Sequence, residues 1–357
     1  MPPSSLPTHG HLIRISQVFQ EQITGVFSRL GIATTSSLGQ EYHWAKDVEA
    51  DSLSDKAAAI FVRWHIPVHH AWPCNPQKMD GFIEKAAQAL LRKFDGVDFQ
   101  TILMGQLSTG SAGGYYKQLA SNLRGRVLQL FPGVVSSGID AESQDPVKAT
   151  LFCLVGKEGL FCGVQSPRGA NGFYPGGTRF IAQGNESTIS RAGAKIAEAL
   201  HYLRLYRPTL PEGSHWLELG ASPGGMTSEL LDRGYRVTAV DRAPLDSRLR
   251  HQRQLLFVQS DVAEFQPPDA ERYDAMLCDL NGEAADSMRQ VIRLAPSIKQ
   301  GGLIVFTLKM PGIATVHGVL ALLDDVHKDA SQAGLRVLAQ THLSYNRHEF
   351  TLFFEKV

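Results

Sequence analysis

The second half of this sequence predicts an α/β fold: a doubly wound, mostly parallel sheet of seven strands whose last hairpin is antiparallel, with an α+β region in front of it. Three observations predict it. Strand-like and helix-like segments alternate from Trp216 onward, the pattern of strands joined by helical crossovers. A glycine-rich stretch, Glu218-Leu-Gly220-Ala-Ser222-Pro223-Gly224-Gly225, stands between the first strand and the first helix. The last two strand-like runs are separated only by the short polar stretch Ser344 to His348. A parallel pair needs a longer crossover, so these two pair antiparallel.

Taken in order, the apolar run Trp216–Leu219 is the first strand and a helix opens at Gly225. Tyr235–Val240, Leu255–Val258 and Ala275–Cys278 follow as short apolar strands. Ala284–Lys299 reads as helix, Leu303–Leu308 as strand and Ala314–Ala333 as a long helix. Leu335–Leu343 and Phe350–Glu355 close the sheet. Before Gly184 this rhythm is missing. Strand-like Ala59–Trp64, Thr150–Val155 and Gly159–Val164 mix there with helix-like Asp80–Phe94 and Tyr115–Leu130, and the Gly/Pro-rich Ser166–Gly177 leads out as a loop. The expected division is a small α+β subdomain over 1–75, a second α+β domain over 76–183 and a Rossmann-like domain over 184–357.

Composition bounds the function. A chain of 357 residues has room for about two domains, and 43% hydrophobic residues suffice for ordinary cores. Lys+Arg and Asp+Glu balance at 35 each, so any nucleic-acid contact must come from local patches. Cys74, Cys153, Cys162 and Cys278 form no CxxC pair, which supports neither a zinc site nor a disulfide framework. No stretch approaches the length of a membrane span and the first residues carry no signal-peptide pattern. The expectation is a cytoplasmic protein without metal or membrane contact, a monomer or weak homo-oligomer.

The glycine loop points to a ligand. Its spacing fits neither the G-x-G-x-x-G of a nicotinamide site nor a P-loop, which would carry Lys-Ser/Thr. Glycines would let the backbone turn and approach a ligand, and the helix from Gly225 would aim free N–H groups at a carboxylate. Asp241, ending the second strand, would accept the hydroxyls of a ribose. S-adenosyl-L-methionine fits this set. Taken alone, the loop could be a plain strand-to-helix turn.

Four ionisable residues converge on the same sheet edge. Asp279 follows the strand Ala275–Cys278, Lys309 follows Leu303–Leu308, and Glu349 begins the antiparallel final strand. All three therefore reach the edge where ligands bind in a doubly wound sheet. Lys195, on the helix before the first strand, can join them. Singly, each has an ordinary reading: Lys195 as a solvated helix lysine, Asp279 as a helix cap, Glu349 as a partner of Arg347 or His348. Four such accidents together are a poor account of the set.

Lys195, Asp279, Lys309 and Glu349 resemble the K-D-K-E tetrad of RNA ribose 2′-O-methyltransferases. The contexts match: Ser190-Arg191 before Lys195-Ile196, Gly-Ala-Ser-Pro-Gly-Gly in the donor loop, Cys278-Asp279, Leu308-Lys309-Met310-Pro311, and Arg347-His348-Glu349. Asp241-Arg-Ala-Pro244 and Asp261 are similar to the donor-binding acids of the bacterial RlmM family, which methylates a cytidine ribose in large-subunit (23S) ribosomal RNA. The resemblance covers nearly all of Gly177 to Val357. It implies donor contacts from Ser190, Glu218, Gly220, Ser222, Pro223, Gly224, Gly225, Met226, Asp241, Asp261 and Asp279. Glu218 stands where Asp is common in the family, and Met226 where Trp is frequent. More weakly, Tyr115-Tyr-Lys117 to Leu123-Arg124-Gly-Arg126 and the Phe152–Gly163 strands resemble the RNA-binding THUMP domain of that family. Lys117, Arg124, Arg126, Arg168 and Arg179 are then candidate RNA contacts, with Tyr116, Leu119 and Leu123 forming a core face on the same helix.

A ribose hydroxyl is a poor nucleophile, so in-line attack on a sulfonium methyl needs a base and alignment. A lysine is a base only when neutral, a state that burial and a nearby cation favour. Lys309 is assigned as base, Lys195 as the neighbouring cation, and Asp279 and Glu349 as positioning acids. The expected substrate is ribosomal RNA of the large subunit before assembly. The alternatives are the same chemistry on transfer RNA or a messenger cap, and a catalytically silent RNA- or donor-binding protein. His65, His69 and His70 are read as surface or core polar residues, not as metal ligands.

Overall fold

A computed structural model describes residues 6–46, 48, 53, 57–107, 113–178, 189–268 and 272–357. The chain divides into two compact units, Met1–Arg179 and Phe180–Val357.

The first unit holds two four-stranded sheets. β1 (His11–Ile15), α1 (Ile23–Leu30), β2 (Thr35–Ser37), β3 (Tyr42–Ala45) and β4 (Val62–Pro67) build an antiparallel sheet in the order β2-β3-β1-β4. β5 (His70–Pro73), α2 (Phe82–Phe94), β6 (Ile102–Gln106), α3 (Gly113–Leu130), α4 (Pro132–Ser137), β7 (Thr150–Gly156), β8 (Gly159–Gln165) and α5 (Pro167–Ala170) follow. Their sheet runs β5-β8-β7-β6, with only β6 and β7 parallel. Phe82, Leu90 and Phe94 of α2 and Tyr116, Leu123 and Val127 of α3 share one buried core with that sheet. Ala57–Phe61 is a 3-10 turn and β4 begins only at Val62, because the alanines there have little strand preference. Cys153 and Cys162 lie directly opposite each other across β7 and β8, both free and buried.

The second unit contains α6 (Ala192–Leu203), β9 (His215–Leu219), α7 (Gly225–Asp232), β10 (Arg236–Asp241), β11 (Leu255–Gln259), β12 (Tyr273–Cys278), α8 (Ala284–Leu294), β13 (Ile298–Lys309), α9 (Val316–Gln332), β14 (Leu335–Thr341) and β15 (Glu349–Lys356). They form the seven-stranded sheet β11-β10-β9-β12-β13-β15-β14. Every neighbouring pair is parallel except those made by β15, which is antiparallel to both β13 and β14. The fold class is therefore Rossmann-like, with the closing hairpin antiparallel as expected. One expected helix is shorter: it ends at Leu294, and a 3-10 turn over Ala295–Ser297 leads into β13. Pro296 has no N–H to continue the helix and disfavours helical backbone before it. No helix among the described residues is long and apolar enough to cross a membrane.

Candidate active site

Strand order reverses between β9 and β12, and a doubly wound sheet binds ligands beyond the carboxyl ends at such a point. Gly220 follows β9 with φ +83°, and a Cβ there would lie 2.9 Å from the Asp279 carbonyl oxygen. The glycine lets the two strand ends meet. The Asp279 N–H completes the contact by donating to the Leu219 carbonyl at 3.1 Å.

Asp279 is the hub of a polar network. Its Oδ2 accepts from Lys195 Nζ at 3.0 Å and its Oδ1 pairs with Lys309 Nζ at 3.3 Å. Lys195 Nζ also donates to Glu349 Oε1 at 2.9 Å. Lys309 donates to Asn281 Oδ1 at 2.7 Å. The register of β13 and β15 explains part of this convergence, since Lys309 and Glu349 are directly opposed. The four residues expected from separate parts of the sequence thus meet. The ordinary readings do not hold: α6 is buried on nearly every side, Lys195 is 9% exposed, and Glu349 engages Lys195 and Asn346.

Electrostatics follow from this wiring. Burial works against the charged form of Lys195, but Asp279 and Glu349 outweigh it and hold its pKa above the ordinary value. Burial likewise works against ionised Asp279, and the two lysines outweigh it, keeping the carboxyl below its ordinary value. Lys195 faces two carboxylates, so its charge is balanced locally. Glu218 differs. Buried on β9 and accepting from Thr227 Oγ1 at 2.7 Å, it is pushed up to about 8, chiefly by burial, with Asp279 and Asp241 adding to the shift.

A cavity of about 330 Å³ opens beside the hub, lined among others by Gly220, Ser222, Asp241, Asp261, Asp279 and Lys309. Asp241 is fixed by two backbone donors, Ser222 N–H to Oδ2 at 2.9 Å and Ala243 N–H to Oδ1 at 2.8 Å. Asp261 Oδ1 accepts from Ala263 N–H at 2.9 Å. The remaining expected donor contacts, Ser190, Glu218, Pro223, Gly224, Gly225 and Met226, do not line this cavity. At Gly225 the reason for glycine is chain packing: a Cβ would sit 2.0 Å from Ser190 Oγ. Met226 is buried within the unit.

Residues 188–330 match the sequence profile described as FtsJ-like methyltransferase. Over this segment the chain is similar to FtsJ-like methyltransferases. Among curated proteins, the chain is 26% identical over 246 residues to the ribosomal RNA large subunit methyltransferase M of Shewanella halifaxensis, covering 66% of each chain. It is 32% identical over 178 residues to the same-named protein of Marinobacter nauticus, covering 48% of each. The chain thus spans less than two thirds of the length of these relatives. Among solved structures, Thermus thermophilus TrmN covers 97% of this chain and 99% of its own at 13% identity and a TM-score of 0.37. That likeness adds nothing to what the sheet order shows.

The methyl donor expected from the sequence is S-adenosyl-L-methionine. The cavity fits it in chemistry, because Asp241, Asp261, Asp279 and Asp286 present carboxylates suited to ribose hydroxyls and to a cationic sulfonium and amine. Among the described residues no group of His, Cys, Asp and Glu is arranged to hold a metal ion.

The RNA candidates are scattered in their fates. Lys117 and Arg168 are exposed. Arg124 donates through Nε to the Ile102 carbonyl at 2.9 Å, and Arg126 pairs with Glu84 at 2.6 Å. The basic face expected on α3 is therefore narrower than the sequence suggested, because two of its three cations are engaged within the unit. Arg179 lies outside the described residues. His65 and His69 are buried core residues; burial pushes His65 down to about 3, and His69 Nδ1 accepts from Val164 N–H. The sequence reading missed Asn281 and Asn346. Asn346 donates to Glu349 Oε1 at 3.0 Å while its own oxygen accepts from Leu343 N–H at 2.8 Å. Their proximity to Asp279 and Glu349 in sequence was the available signal.

Proposed function

We propose that this chain transfers a methyl group from S-adenosyl-L-methionine to the ribose 2′-hydroxyl of a cytidine in large-subunit ribosomal RNA that is not yet assembled. The observation that carries the reading is the Lys195–Asp279–Lys309 network with Glu349, gathered at the edge of an acid-lined cavity. The names of the matched relatives support the substrate.

When bound, the donor supplies an electrophilic methyl group on a sulfonium. Asp241 and Asp261 bind its ribose and nearby polar groups, and Asp279 offsets its positive charge. Lys309, partly exposed at the cavity mouth, takes the 2′-hydroxyl proton at Nζ as the oxygen attacks. Lys195, kept as an ammonium by two carboxylates, orients the hydroxyl and stays charged throughout. Glu349 and Asp279 hold that ammonium in place, and Asn346 steadies Glu349. The first unit serves as an RNA-holding module, with Lys117 and Arg168 exposed for phosphate contact.

The test is transfer from labelled donor to unmodified ribosomal RNA, with the product analysed for alkali-resistant ribose linkages. Label in a 2′-O-methylcytidine is the expected result. A chain that binds donor yet labels only transfer or capped RNA, or none, overturns the substrate.

A further inference from the structure

The two lysines around Asp279 are held by unlike partners. Lys195 lies against two carboxylates, Asp279 Oδ2 at 3.0 Å and Glu349 Oε1 at 2.9 Å. Lys309 makes its shorter contact, 2.7 Å, with the neutral amide oxygen of Asn281, and stands 3.3 Å from Asp279 Oδ1. Other titratable groups surround Lys309: Glu349 opposite it in register on β15, Lys195 beyond Asp279, the buried Cys278 thiol before Asp279, and Asp286 at the start of α8 on the same cavity. Among the described residues, only Asp279 pairs with it as an ion.

We propose that Asn281 is a positioning residue for Lys309, anchoring the Nζ of the base through a contact that adds no negative charge. The inference rests on the reading of Lys309 as base and names what places it. Two demands conflict at such a lysine. A long side chain at a strand end needs a partner to hold it near a reacting hydroxyl, and each rotatable bond left free dilutes the reactive geometry. A carboxylate would hold it, but would also favour the ammonium, which cannot accept a proton. An amide oxygen meets both demands, because it accepts a hydrogen bond from an amine N–H before proton transfer and from an ammonium N–H after it. Asn281 is exposed, and among the described residues its side chain makes no other hydrogen bond, so it contributes little to the fold.

The experiment compares wild type, Asn281→Asp and Asn281→Ala in the full chain by two readouts. One is the pH dependence of methyl transfer to large-subunit ribosomal RNA. The other is competitive labelling of Lys309 by acetic anhydride across pH, read by mass spectrometry, which needs no RNA. Asn281→Asp is expected to move both the labelling midpoint of Lys309 and the acidic limb of the rate profile upward by about one pH unit, with transfer recovering at high pH. Asn281→Ala is expected to lower kcat about tenfold at the optimum. Unchanged thermal midpoints are the fold control. Profiles of Asn281→Asp that superimpose on wild type, or full kcat in Asn281→Ala, overturn the proposal. If wild type transfers no methyl to RNA, the function proposed above falls, while the labelling midpoint still decides whether Asn281 governs Lys309.

Discussion

Both units bury ionisable side chains, and His65 in the first and the Lys195–Asp279 pair in the second are treated in opposite ways. In the first unit His65 is buried on β4 with His11 as its neighbour, 6.5 Å away between ring centres, and burial drives it to the neutral form. In the second unit Lys195 and Asp279 are also mostly buried, yet both remain charged because each faces the other and a second partner of opposite sign. Burial by itself therefore does not mark a reactive site. What distinguishes Lys195 and Asp279 from His65 is that opposite charges are enclosed together, where desolvation is offset by attraction, as also for Arg14 and Glu41 in the first unit. Glu218 shows the contrast inside the second unit, for its strongest contact is a hydroxyl and it goes neutral like the histidines.

Breaking the paired network has the largest expected effect. Lys309→Ala should lower methyl transfer by about 10³-fold, the scale of a lost general base, with donor affinity measured by calorimetry nearly unchanged. A modest loss would instead assign Lys309 to substrate binding. Asp279→Asn removes the carboxylate shared by both lysines, leaving Lys195 with Glu349 alone. Denaturant unfolding of the second unit should report a loss of about 3 kcal/mol.

The pH dependence of each unit sharpens the comparison. His65 is lowered in the folded chain from 6.5 to about 3, so the unfolded state binds the extra proton between those values. Its contribution is complete above pH 6.5 and is lost as pH falls. Glu218 is raised from 4.5 to about 8, so its contribution is complete below pH 4.5 and is lost as pH rises. Between pH 5 and pH 7 each is worth about 2 kcal/mol, with opposite sign. Denaturation curves at the two pH values should show that His65→Leu flattens the acid-side loss of the first unit. Glu218→Gln should flatten the alkaline-side loss of the second. Slopes that match wild type in both variants would remove the contrast.

The smallest effect concerns the surface of α3. Arg126→Ala should leave stability nearly unchanged, since its pair with Glu84 is solvent-exposed and screened. Its effect on RNA retention in filter binding should be smaller than that of Lys117→Ala, because Arg126 already has an anionic partner. The reverse ranking would mean that RNA displaces Glu84.

Sequence alone determined the alternation of strands and helices, the antiparallel ending forced by the short Ser344–His348 link, and the placing of Asp279, Lys309 and Glu349 at strand ends with Lys195 on the helix before the first strand. These are local properties: apolar runs, connection lengths and the position of a residue at a strand terminus. In the first unit, short strands such as β1 and β3 were not legible, because a few apolar residues suit a turn or a helix equally well. The tertiary structure decided which oxygen meets which nitrogen. That Asp279 divides its two oxygens between Lys195 and Lys309, that Asn281 rather than a carboxylate holds Lys309 most closely, and that Gly225 makes room for Ser190 depend on strand order and helix packing. Such contacts join residues far apart in the chain, and distances of a few ångströms set their charge and their chemistry.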